Sequence, residues 1–166
     1  MNRESWKIGW VQGVLSATTL GMIVLALGCP GTDPPPVADI IFPENYRESF
    51  TIVRDCRNSI EHTSQIRVWI NDIGLAGYQA NASPLPEGTI VIKEEFAANV
   101  CDNDDNLEFW SVMRKEPAGF DPGANDWRFQ EVSSPNRLIT LDNNATCIGC
   151  HTDEACIPRD LMCTLP

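Results

Sequence analysis

Apolar and polar residues alternate along Ile66–Ile70, I-R-V-W-I, so that Ile66, Val68 and Ile70 share one face, as in a half-buried strand. The run Thr89–Phe96, T-I-V-I-K-E-E-F, is β-branched and reads as a second strand, with Lys93 inside it. Leu107–Lys115 is a third, and Asp126–Val132, D-W-R-F-Q-E-V, a fourth that sets Trp127 and Phe129 on one side. Between them, Asp72–Ala80 is a short helix, while Pro84, Pro86 and Gly88, and then Gly119–Gly123 around Pro122, supply turns. Ahead of them, Tyr46, Phe50 and Val53 are spaced by four and three, which suits a short amphipathic helix or an irregular lead-in over Pro43–Val53. Strands joined by turns, with helices at the two ends, predict an α+β domain built mainly on an antiparallel sheet.

The first residues do not belong to that domain. Met1–Trp10 carries Arg3 and Lys7 and runs into the largely apolar stretch Val11–Leu27, the layout of an export signal. The stretch ends Leu25-Ala26-Leu27-Gly28-Cys29, which looks like a bacterial lipoprotein processing site with cleavage before a lipidated Cys29. An ordinary secretory signal or an uncleaved anchor helix are the alternatives, and each exports the body. Pro30, Gly31 and Pro34–Pro36 make residues 29–42 a stiff spacer, leaving 43–166 as the domain. The expected location is the periplasm or cell surface, with the membrane reached through the Cys29 anchor.

The chain carries 12 basic and 23 acidic residues, a net charge of −11, and loss of residues 1–28 leaves it about as acidic. Such a charge argues against nucleic acid and would steer a basic partner, such as a cationic electron-transfer protein, toward the surface.

Near the C-terminus, Cys147-Ile148-Gly149-Cys150-His151 reads C-x-x-C-H. This is the attachment signature of a c-type haem: two thiols add across the vinyl groups, and the adjacent imidazole of His151 binds iron. A disulfide or zinc-binding cysteine pair is the alternative, but no second C-x-x-C is present to complete a zinc site. With Cys29, Cys147 and Cys150 assigned, Cys56, Cys101, Cys156 and Cys163 remain, and three pairings are possible. The favoured ones are Cys156 with Cys163, closing a small loop after the haem motif, and Cys56 with Cys101; free thiols are the alternative. Asp102–Asn106 offers oxygen ligands, but Leu107 and Met113 stand where a calcium loop needs Gly and Glu, so it reads as a solvated connection. Met113, Met162 and His62 are the available sixth iron ligands, although Met113 fits a core position and His62 a surface one.

Taken together, N-Y-R-E-S-F (Asn45–Phe50), I-R-V (Ile66–Val68), P-E-G-T-I-V-I-K-E (Pro86–Glu94), V-M-R-K-E (Val112–Glu116), D-W (Asp126, Trp127) and the terminal C-I-G-C-H make the chain similar to the cytochrome P-460 family, which includes the cytochromes c′-beta. The resemblance implies a mostly antiparallel β domain, usually a homodimer, with one high-spin haem on His151 and an open distal side for hydroxylamine, nitric oxide or similar ligands. It implies that Lys93 occupies the place of the lysine that hydroxylamine-oxidising members bond to the macrocycle. Read without the resemblance, Lys93 is a solvated strand lysine beside Glu94 and Glu95. The family's distal carboxylate aligns without gaps on Ser111, and a shifted register would put Glu108 there. Phe96, Phe109 and Trp110 are apolar linings or core. Three functions compete: a protein that binds or oxidises hydroxylamine or nitric oxide, a periplasmic electron-transfer cytochrome c with six-coordinate iron, and a haem-binding sensor module.

Overall fold

The computed structural model describes residues 39–59, 62, 64–97, 100–101 and 103–163. The expected export signal, Cys29 and most of the expected spacer lie outside them. Six strands form one antiparallel sheet in chain order: β1 (Thr51–Ser59), β2 (Ser64–Ile70), β3 (Ile90–Phe96), β4 (Leu107–Lys115), β5 (Trp127–Ser133) and β6 (Ile139–Asp142). Every neighbour in space is a neighbour in sequence, so each pairing needs only a local reversal of the chain. The helices are α1 (Tyr46–Ser49), α2 (Asp72–Gln79) and α3 (Ala145–His151). This is the expected α+β, mainly antiparallel fold.

The four strands expected from the hydrophobic pattern are the four inner ones, and the two edges went unread. The structure reduces the helical lead-in to the single turn of α1 and makes Val53 part of β1. Edge strand β1, T-I-V-R-D-C-R-N-S, is largely exposed and irregular, with register shifts after Ile52 and Arg54. A solvated edge buries too little side chain to impose an apolar alternation. Residues read as the end of the spacer also join the domain: Ile41 and Phe42 are buried, and the Gln130 side chain bonds the backbone of Asp39 and Ile41 at 2.8 Å each.

Each face of the sheet is covered. Ile66, Val68 and Ile70 from β2, Val91 from β3, Met113 from β4 and Trp127 and Phe129 from β5 form one face, packed against Tyr78 and Leu85, against Leu161 and Met162, and against Cys147 and Ile148 of α3. The opposite face holds Trp69, Ile92, Phe96, Trp110, Val112 and Val132 under Phe42 and Tyr46. There a buried Glu94 accepts hydrogen bonds from the Tyr46 hydroxyl and from Arg47 Nε (2.7 Å), and Trp110 Nε1 donates to the Tyr46 oxygen (2.9 Å). Asn71 caps α2 and also accepts from Ile90 N (3.1 Å), tying the helix to β3. Gly74 lets them close up, because a β-carbon there would sit 2.3 Å from Thr89 Cγ2. Disulfides join Cys56 to Cys101 and Cys156 to Cys163, the favoured pairing, each worth ~2–4 kcal/mol.

Candidate haem-binding site

Helix α3 carries the C-x-x-C-H residues. Asn144 starts it by accepting a hydrogen bond from Thr146 N at 2.8 Å. From there the helical repeat brings Cys147, Cys150 and His151 to one side, since residues three and four apart are surface neighbours. Cys147 is half-buried against the core and Cys150 is exposed, and both are free thiols although every other described cysteine is in a disulfide. Burial raises the Cys147 pKa, the charge of Glu131 adds to that, and Lys93 works against it.

The His151 ring stacks obliquely on Phe129, centroids 5.1 Å apart, and its Nδ1 lies 2.8 Å from the Leu161 carbonyl. A carbonyl only accepts, so the proton is on Nδ1 and the neutral ring keeps its lone pair on Nε2. Desolvation, reinforced by the nearby positive charges of Lys93 and His62, pushes its pKa down to about 4. The imidazole is therefore neutral at physiological pH, the form that binds a metal.

On the same face of the sheet lies a second group. Val91 and Lys93 alternate with inward-facing residues of the other side, so Lys93 and Glu95 point where Val91 does. Lys93 is in register with Ser111 on β4, and Ser111 with Glu131 on β5. Glu95 is fully buried and closely partnered: Ser111 Oγ donates to it at 2.5 Å, His62 Nδ1 is 3.0 Å away and Lys93 Nζ 3.3 Å. Lys93 Nζ also meets His62 Nε2. Burial works to raise the Glu95 pKa, but the His62 bond, the Lys93 and His62 charges and the Ser111 hydroxyl outweigh it and hold the carboxyl below its usual range.

The sequence model of the cytochrome P460 family matches residues 43–161, from the start of the folded domain through C-x-x-C-H. The chain is a cytochrome P460 family member. Its cofactor class is thus haem, and its functional class is that of haem proteins acting on small nitrogen species such as hydroxylamine. No curated protein sequence matches the chain closely enough to report.

The residues present fit a haem. A helix offers two unpaired thiols and, beside them, an imidazole whose Nε2 lone pair is kept available by the Leu161 carbonyl. Among the described residues no group of three or more His, Cys, Asp or Glu is arranged to hold a metal ion. In the acidic loop Asp104 pairs with Arg47 at 2.6 and 3.0 Å.

Of the site residues expected for this cytochrome P460 domain, the structure brings Lys93 and Ser111 together and leaves Glu108 apart, exposed and outside the hydrogen-bonded group. Glu95 instead brings a carboxylate against Lys93 and Ser111. It stands two residues after Lys93, so strand periodicity carried the signal, but reading Lys93 as a solvated strand lysine hid it, since Glu94 and Glu95 beside it are fully buried. Phe96 and Trp110 pack on the opposite face and do not line this site. Met113 and Met162 are buried in the hydrophobic core, and both ring nitrogens of His62 are engaged by Lys93 and Glu95.

Proposed function

We propose that the protein is a c-type mono-haem cytochrome P460 that oxidises hydroxylamine or captures nitric oxide, with thioether bonds to Cys147 and Cys150 and His151 as axial ligand. The observation that carries this reading is the pairing of an Nδ1-tethered His151 with the two thiols that no disulfide takes up. The haem, when bound, supplies the ligand position and the first electron acceptor.

The chain's own contribution is proton handling on the face that carries Lys93. Glu95 is held ionised, the form that accepts a proton from an N–H or O–H brought to it. Ser111 and Lys93 fix its Oε1, and His62, with a side chain 35% exposed, links Oε2 to solvent as an outlet. Ser111 alone is a poor base; with Glu95 behind it, the missing carboxylate is restored from another strand. Lys93 is also the residue this reading assigns to a bond with the macrocycle.

An electron-carrier role has less support, because the candidate sixth ligands are packed in the core or engaged elsewhere. Export, lipidation at Cys29, a homodimer and a cationic redox partner complete the proposal, the last supported by the net charge of −11.

The decisive experiment takes holoprotein matured in a host competent for haem attachment. Denatured intact mass and a peptide map read attachment at Cys147 and Cys150 and any Lys93 cross-link. Hydroxylamine with an electron acceptor, and nitric oxide separately, read the function. Turnover supports the oxidase, and tight nitric oxide binding without turnover supports the gas binder. A low-spin, six-coordinate resting spectrum with neither would sink both.

A further inference from the structure

The hydrogen bond that orients His151 depends on residues outside the C-x-x-C-H motif. Its acceptor, the Leu161 carbonyl, belongs to the loop that follows α3 and is closed by the Cys156–Cys163 disulfide. Asp160 and Leu161 both adopt left-handed backbone, φ 53° and 67°. For a leucine this conformation is disfavoured by its β-carbon, and it persists only where the surroundings impose it.

The Asp160 carboxylate ties this segment to the rest of the domain. It is fully buried and receives Lys115 Nζ at 2.7 and 2.9 Å, Leu85 N–H at 2.8 Å and Asn125 Nδ2 at 3.1 Å. Those donors come from the end of β4, the loop after α2 and the turn before β5, three parts of the domain converging on one side chain. Lys115 is fixed in turn by the Asn125 carbonyl at 2.6 Å and by the Trp127 ring, 5.1 Å away.

We propose that the Asp160–Lys115 pair, steadied by Asn125, is a positioning device for the axial histidine: it holds the 160–161 backbone so that the Leu161 carbonyl sets the donor strength of His151. A firm acceptor at Nδ1–H draws the ring toward imidazolate character, strengthens donation from Nε2 and favours ferric iron. Neither Asp160 nor Lys115 touches the ring, so each acts through the carbonyl. The inference rests on His151 being the axial ligand.

The test uses the holoprotein and two variants, Asp160→Asn and Asn125→Gly; glycine suits the left-handed backbone at Asn125, φ 49°. The readouts are the iron–imidazole stretching frequency of the ferrous state, by resonance Raman, and the reduction potential. Asp160→Asn is expected to lower the frequency and raise the potential, Asn125→Gly to do the same more weakly. Arg47→Gln, which perturbs the ion network on the opposite face, is expected to move neither. Wild-type values in both haem-loaded variants would overturn the proposal while leaving the axial ligand standing. Absence of the stretch in ferrous wild type would overturn both readings. Should Asp160→Asn not fold, Asn125→Gly decides.

Discussion

Replacing Lys115 by Met strips the buried Asp160 of its counter-charge. Lys115 is 7% exposed and Asp160 0%, so water cannot take the place of the ammonium. The Leu85 N–H at 2.8 Å and Asn125 Nδ2 at 3.1 Å would remain, two neutral donors for a full negative charge. Removing one member of a buried pair costs about 3–5 kcal/mol, because the other is left uncompensated. A domain of this size has about 5–15 kcal/mol in all, so Lys115→Met is expected to be marginal. In the double variant Lys115→Met, Asp160→Asn, the asparagine still accepts from Leu85 N–H and no charge is stranded; its loss should fall to about 1–2 kcal/mol. Urea unfolding with the disulfides intact, at fixed pH and with the slopes compared, measures both. A single variant within about 1 kcal/mol of wild type, or a double variant no better than the single, would refute the reasoning.

Cys150→Ser should leave haem held by one thioether, and Cys147→Ser, Cys150→Ser should yield protein from which acidified organic solvent extracts all the haem, with the fold retained by circular dichroism. Glu95→Gln keeps the shape but not the proton acceptor, so hydroxylamine turnover should fall about 10²–10⁴-fold while nitric oxide binding changes little; equal turnover would remove Glu95 from the mechanism. In haem-free protein, His151 is neutral when folded, its pKa pushed from 6.5 down to about 4, mainly by burial. The unfolded chain therefore binds the extra proton between those values, and stability is full above pH 6.5 and falls as pH drops toward 4, by about 3 kcal/mol. His151→Gln should flatten that limb of the urea midpoint against pH, and an unchanged limb would count against a desolvated neutral imidazole.

The features legible along the chain are local or periodic. Cys147, Cys150 and His151 lie within five residues, so their chemistry is legible as a spacing, and the period of two in Ile66, Val68 and Ile70 and in Trp127 and Phe129 places β2 and β5. The tertiary structure decided the rest. Edge strands β1 and β6 follow from pairing to an inner strand, since their own side chains are largely in water. Glu95 meets Lys93 and Ser111, and Glu108 does not, because the pleat of each strand and the cross-strand register together choose neighbours. The partner of the His151 proton is a backbone carbonyl, a group every residue carries, so no letter marks it. Only the fold, by burying Asp160 against Lys115 beside a left-handed Leu161, singles that carbonyl out.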